Sequence, residues 1–199
     1  MNDKFQMNLV NSRKKFFPFQ LQNNITINIA TNEEFQSVCN KYFDDLFPNH
    51  TKDSELERGM EARNDKLKLL IKNYQDFHSE KILIYNENHL PIGWLCGGSN
   101  DSHTFYMRNT GIINSYQGRK IYTQLLNYFL DYIKNLGYER VTSQHLGTNK
   151  GVLIPKLKYG FEICGLELHE NYGAMIKLVY HFHIDRKRLY YNKYGHMKI

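Results

Sequence analysis

Residues 115–138 read SYQGRKIYTQLLNYFLDYIKNLGY, a polar turn that runs into a strongly periodic helix. Ile121, Leu125, Phe129, Tyr132, Ile133 and Leu136 fall on one face at the spacings of an amphipathic helix. Gly137 follows as a left-handed stop. At the other end, Gln117, Gly118, Arg119 and Lys120 put a glycine and two adjacent cations where the helix starts. The first turn of a helix has backbone N–H groups without intrahelical acceptors and carries the positive end of the dipole, which suits phosphate. The turn therefore reads two ways, as the seat of a phosphorylated cofactor or as a solvated first turn with outward cations.

The rest of the chain narrows the choice. A length of 199 residues fits one domain with a sizeable core, and 41% hydrophobic with 23% charged residues is ordinary globular composition. No run of 18 apolar residues exists, and the first 19 residues lack the apolar core of a signal peptide, so the expectation is a cytoplasmic protein with no membrane partner. Cys39, Cys96 and Cys164 are isolated, without Cys-x-x-Cys spacing, and read as small core hydrophobes. His181 and His183 alternate on one strand with no third ligand nearby, so no metal is expected. Of the net charge of +6, residues 185–199 carry +4, which argues against a uniformly basic nucleic-acid surface and for a basic, aromatic C-terminal segment, a solvated tail or edge strand.

Residues 1–24 are polar and Asn-rich and read as an N-terminal arm or a short strand; residues 25–182 form the folded domain and 183–199 the C-terminal segment. ITINIA (25–30) alternates as a strand does. Thr31 and Glu34 form a capping box for a helix that Pro48 stops near Phe47. A second helical pattern covers 53–77. Strands follow at 81–85, at GWLCGG and at HTFYMRNTGII; then come the helix of the opening stretch, the strand RVTSQHL, and a short helix over 149–159 interrupted or kinked at Pro155. A final pair of strands forms a hairpin across 171–173. Strand–helix–strand crossovers demand parallel pairing beside an antiparallel meander, so the expected architecture is an α/β (α+β) fold: a mixed, mostly antiparallel sheet of about seven strands with helices on both faces.

In this order the sequence resembles the GNAT superfamily of acyl-CoA-dependent N-acyltransferases over about residues 25–182. Two segments carry the resemblance. IINSYQGRKIYTQLL (112–126) is similar to the family's pyrophosphate loop, a strand and polar turn followed by Gln/Arg-x-x-Gly-x-Gly/Ala; Gln117 matches, while Lys120 and Tyr122 stand where glycine and glycine or alanine are usual. NKGVLIPKLKYGFEICG (149–165) matches an asparagine, a short helix and then Gly-Phe, here Asn149, Gly160 and Phe161. Gln117 and Asn149 lie 32 residues apart, separated by one helix and one strand, as in the family.

The resemblance implies an N-acetyltransferase that uses acetyl-CoA as co-substrate and a small-molecule or protein amine as acceptor, as a monomer or homodimer. It implies that residues 118–122 (Gly118, Arg119, Lys120, Ile121, Tyr122) receive the pyrophosphate, that Asn149 meets the pantetheine or phosphate region, and that a backbone N–H near Ile112 or Ile113 polarises the thioester carbonyl. Many members place a general-acid tyrosine seven residues after the asparagine, where this chain has Lys156. Tyr159, three residues on, Lys156 itself and water are the candidate proton donors to the departing thiolate. Residues 103–113 contain no Asp or Glu, so the base is His145 or a water. Arg108 is a candidate for holding a carboxylate of the acceptor. The alternative reading is a GNAT-like domain that binds acyl-CoA as a sensor or serves as an interaction module.

Overall fold

The computed structural model describes residues 3–47, 77–169 and 172–194. The helix expected over 53–77 lies outside these residues apart from its last position. The chain forms α1 (Asp3–Phe16), β1 (Phe19–Gln20), β2 (Thr26–Ile29), α2 (Asn32–Leu46), β3 (Ser79–Tyr85), β4 (Pro91–Ser99) and β5 (Thr104–Ile112). A 3-10 turn (Asn114–Tyr116) leads to α3 (Ile121–Asn135), β6 (Arg140–Leu146), α4 (Lys150–Tyr159), β7 (Glu162–His169), β8 (Gly173–His181) and α5 (Ile184–Tyr194). Eight strands form one sheet in the order β1-β2-β3-β4-β5-β6-β8-β7. The eighth strand beyond the expected seven is the two-residue β1, too short to leave an alternation in the sequence. No described helix is long and apolar enough to cross a membrane.

Four expectations change. Residues 3–16 form a helix that buries only Leu9 and Ser12, and the strand within residues 1–24 is confined to Phe19–Gln20. Residues 184–194 are also helical rather than a tail or edge strand. The helix carrying Pro155 is not interrupted and runs from Lys150 to Tyr159. Of the two crossovers, β5–α3–β6 gives a parallel pair, but β6–α4–β7 does not, because β8 inserts between β6 and β7 and pairs antiparallel with both.

The chain divides into two compact units, one of residues 1–98 and 108–128, the other of residues 99–107 and 129–199. In the first, the capping box expected at α2 is formed: Glu34 N–H donates to Thr31 Oγ1 at 3.2 Å, and Thr31 N–H to Glu34 Oε2 at 2.8 Å. Phe35 and Val38 of α2 pack on Leu83 and Trp94, one face of β3 and β4. Residues of the other parity, Ile82, Ile84 and Leu95, are also fully buried, so both faces of these strands are covered. Helix α1 is held by Arg13, which donates to both oxygens of the buried Glu80 at 3.3 and 3.0 Å. His78 approaches the same carboxylate at 2.8 Å.

In the second unit, Phe105 packs edge-on against Phe129 and Tyr138 above the start of β5. The parallel ladder of β5 with β6 is short: Thr104, Phe105 and Tyr106 face Arg140, Val141 and Thr142. It stops there, although β5 continues to Ile112 and β6 to Leu146. A ladder that ends inside both strands leaves the backbone N–H and C=O groups beyond it without partners in that ladder.

Candidate active site

The first unit supplies an amide-lined turn. Ile113 N–H, just past β5, donates to Ile92 O at 2.9 Å and fixes the exit of the strand. The Gln117 side chain folds back over the turn and donates to Ile112 O at 2.8 Å and to Asn114 Oδ1 at 3.0 Å. It thus braces the turn with its side chain and leaves the backbone beyond it exposed. Gly118 (φ 75°) and Lys120 (φ 61°) both adopt the left-handed region, and the helix begins only at Ile121. The first helical N–H with a backbone acceptor is that of Gln124, which donates to Lys120 O at 3.2 Å; those of residues 118–123 have no acceptor among the described residues.

The left-handed φ of Lys120 explains why a glycine is the usual residue at this point of such a loop, since an L side chain is strained there. At Gly118 an added Cβ would meet nothing within 4 Å, so glycine is needed for its φ rather than for space. Arg119, exposed, lays its guanidinium over the Tyr116 ring at 4.6 Å, and the Tyr116 hydroxyl accepts from Asn86 Nδ2 at 3.0 Å. Burial pushes the Tyr122 hydroxyl above its ordinary range, so Tyr122 stays neutral. A row of unsatisfied N–H groups, a helix N-terminus and two exposed cations fit a pyrophosphate in donor chemistry. Beside the turn, Tyr42, Asp45 and Leu46 of α2 line a cavity of about 220 Å³ with Ile113, Asn114 and Ser115. Arg108 lies exposed on β5, where its charge draws down a Cys96 thiol that burial otherwise raises.

The second unit supplies a buried cation. Lys156, on α4, is 1% exposed. Its Nζ donates to Ser143 Oγ at 2.7 Å and to Met107 Sδ at 3.6 Å, and it stands 4.8 Å from the centre of the Phe161 ring. Met107 and Ser143 are the first residues of β5 and β6 beyond the end of their ladder. The ammonium therefore sits where the two strands part. Burial lowers the Lys156 pKa to about 7. No carboxylate pairs with it among the described residues.

His145, two positions along the same face of β6, places Nε2 3.0 Å from Ser143 Oγ. Burial first, and the Lys156 charge second, lower its pKa to about 3. Lys156 and His145, which the sequence offers as separate candidates, thus meet on one hydroxyl. Tyr159, one turn further along α4, is half-buried with its ring 5.4 Å from that of Tyr180. Burial first, then Tyr180 and Asp131, push its hydroxyl up to about 12. Asn149 stands at the N-cap of α4 but makes no side-chain cap hydrogen bond, so its exposed amide is not spent on the helix. Gly160 (φ 106°) ends α4 in the left-handed region and turns the chain so that buried Phe161 lies beneath Lys156.

Ser143 is the residue that sequence reasoning missed. The signal was the alternation of RVTSQHL, which puts Val141, Ser143 and His145 on one face and makes Ser143 the polar residue next to an apolar one on the buried side.

A mixed sheet with one short parallel pair that parts midway, followed by an amide-lined turn into a helix, defines an α/β group-transfer fold of the GNAT kind. The chain belongs to the acetyltransferase (GNAT) family, whose pattern residues 38–153 match. Among solved structures it resembles a ribosomal-protein-S5-alanine acetyltransferase from Vibrio fischeri, at 14% identity and a TM-score of 0.60, covering 82% of this chain and 95% of that one. It also resembles a GNAT family acetyltransferase from Elizabethkingia anophelis with acetyl-CoA bound, at 20% identity and a TM-score of 0.52, covering 81% and 100%. A dodecameric spermidine N-acetyltransferase from Vibrio cholerae aligns at 15% identity and a TM-score of 0.56, covering 79% and 93%. At these identities the likeness is one of fold. No curated protein sequence matches the chain.

Proposed function

We propose that the protein is an N-acetyltransferase that moves an acetyl group from acetyl-CoA to a primary amine by direct attack, with Lys156 as proton donor to the departing thiolate. The observation that carries this reading is the buried ammonium at the parting of β5 and β6, at the position where the family resemblance leads one to expect an acid. Ser143 and Met107 take two of its N–H groups, and the third has no acceptor among the described residues. A sulfur anion arriving beside Lys156 would find a donor already desolvated, where charge interactions are strong.

In this reading residues 118–122 hold the pyrophosphate through their N–H groups, with Arg119 and Lys120 adding charge, and Gln117 keeps the turn in shape. Asn149 offers its free amide to the pantetheine. The N–H groups at Ile112 and Ile113 are the candidates for polarising the carbonyl, although that of Ile113 is already given to Ile92 O, which leaves the Ile112 end of β5 the better one. The amine enters by the cavity at Asp45, whose carboxylate favours a cationic acceptor over an acidic one. Arg108 then tunes the far side of β5 and would hold a carboxylate only if the acceptor carries one.

A second reading, a member that binds acyl-CoA without turnover, is favoured by the lysine in the usual tyrosine position. Acetyl-CoA at about 100 times its dissociation constant should stabilise the protein by roughly 2.7 kcal/mol, and free thiol should appear when a panel of amines is added. Binding without thiol release supports the sensor, and no thermal shift at millimolar acetyl-CoA overturns both readings.

A further inference from the structure

Lys156 is cut off from water, yet a proton donor must be recharged after every turnover. It is 1% exposed, and so is the Ser143 it touches. The chain of polar contacts does not end there: Ser143 Oγ lies 2.7 Å from Lys156 Nζ and 3.0 Å from His145 Nε2, and His145 is half-buried and so reaches solvent. Met107 Sδ, the other contact of Nζ, carries no exchangeable proton. We propose that Ser143 and His145 form a proton relay that connects the buried Lys156 amine to water. The proposal rests on Lys156 being the proton donor only for its catalytic use; the relay itself is a property of the free protein.

The proton count closes. With Lys156 charged, its N–H donates to Ser143 Oγ, the Ser143 hydroxyl donates to Nε2 of neutral His145, and the His145 proton is on Nδ1. When Lys156 has given up a proton, the Ser143 hydroxyl turns toward its lone pair, and a solvent proton adds to the one open ring nitrogen of His145, Nε2. The ring then holds a proton on each nitrogen and passes the one on Nε2 to Ser143 Oγ. Ser143 in turn hands its own hydroxyl proton to the Lys156 lone pair. Lys156 gains one proton, water loses one, and Ser143 and His145 end neutral as they began. The low proton affinity of His145 serves this role, because a histidine that stayed charged would hold the proton instead of passing it on. Among the described residues the groups facing Lys156 are Met107 from β5, Ser143 and His145 from β6 and Phe161 after α4, and of these His145 is the titratable one. Ser143 and His145 are positioning and relay residues in this scheme and need not touch substrate.

The relay predicts behaviour that packing alone does not. In the full-length, ligand-free protein with 15N-labelled lysine, the Nζ protons of Lys156 can be followed by NMR near pH 6 and identified by their loss in Lys156→Met. Ser143→Ala and His145→Gln should each slow their exchange with water by about tenfold or more, the lower end of what a positioned acid–base group contributes. Ser143→Thr, which keeps the hydroxyl, should exchange at nearly the wild-type rate. In turnover, His145→Ala should be rescued by added imidazole, whereas Ser143→Ala should not. Unchanged or faster exchange in Ser143→Ala and His145→Gln overturns the relay, as does a Ser143→Thr variant as slow as Ser143→Ala. Full thiol release by Lys156→Met would overturn the role of Lys156 as donor while leaving the exchange result standing, so the two ideas fail separately.

Discussion

Lys120 holds a left-handed φ of 61° without being a glycine, and it does so in the turn that would face phosphate. Such a conformation costs a non-glycine residue on the order of 1–2 kcal/mol. Glycine recovers part of that and loses some to its greater freedom when unfolded. Lys120→Gly should therefore raise stability by up to about 1 kcal/mol in denaturant titrations, while weakening acetyl-CoA binding through the lost charge; a destabilised Lys120→Gly variant would contradict the geometry. Gly118 is the reverse case. Its Cβ would have open space but its φ of 75° would be strained in any branched residue. Gly118→Val should cost roughly 1–3 kcal/mol of loop strain and lower acetyl-CoA affinity in a protein that still folds, and wild-type affinity would put the cofactor elsewhere. At α4 the two proton-donor candidates can be told apart. Lys156→Met should lower turnover by about 100-fold or more, with the loss easing as pH falls and solvent supplies the proton. Tyr159→Phe, which keeps the ring packed against Tyr180, should cost less than about threefold, far below an acid's usual contribution. The opposite pattern would transfer the role to Tyr159.

At the scale of elements, what could be read from sequence depended on whether the signal was local. The Thr31–Glu34 box, the apolar stripe of α3 and the alternation of the strands are local patterns, and each element formed where its pattern lay. Helix α1 had no such pattern, because it buries only Leu9 and Ser12 and is held from outside. Tyr128 of α3 stacks on Phe19 at 3.6 Å and donates to Phe16 O at 2.5 Å, and Arg13 reaches Glu80 from 67 positions away. Those partners lie too far along the chain for periodicity to reveal. The site was legible to the same degree. Gln117 and Asn149 stood out by spacing, but that Gln117 would brace its own turn, that Asn149 would leave its helix uncapped and that Lys156 would meet His145 through Ser143 depended on tertiary contacts. The docking of α1 can be tested directly. Arg13→Ala leaves the fully buried Glu80 carboxylate with one cation fewer and should cost about 1–3 kcal/mol, the penalty of weakening a buried ion pair with one partly exposed partner. Its effect should appear as protease cleavage between α1 and β2 at unchanged acetyl-CoA affinity, and no change in stability would mean that the aromatic contacts alone hold the helix.

Across the whole molecule, the two groups that meet on Ser143 both make the folded state prefer fewer protons than the unfolded chain. Lys156 falls from an ordinary value of 10.5 to about 7 through burial, and His145 from 6.5 to about 3 through burial and the neighbouring charge. Where the unfolded chain binds more protons, stability rises with pH. For His145 that window is pH 3 to 6.5, and for Lys156 it opens at 7. Above about pH 9 the rise is offset, because burial pushes the half-buried Cys39 thiol up to about 12, so that it resists an ionisation that the unfolded chain undergoes freely. The clean window for Lys156 is therefore pH 7 to 9, where its relief from a buried charge should add roughly 2 kcal/mol. Lys156→Met keeps the length of the side chain and removes the charge, an exchange that often stabilises. The variant should be more stable than wild type at pH 6 and lose the rise between pH 7 and 9, while His145→Gln should flatten the fall below pH 6.5 and leave the upper window intact. Denaturant midpoints at pH 5, 7 and 9 measure all three. A wild-type protein equally stable at pH 7 and 9 would mean that Lys156 keeps its charge in the folded state, and a proton donor that holds its proton so firmly would serve a departing thiolate poorly. The fold would thus carry, at the parting of β5 and β6, a group that costs stability at neutral pH and is explained by the chemistry it makes available.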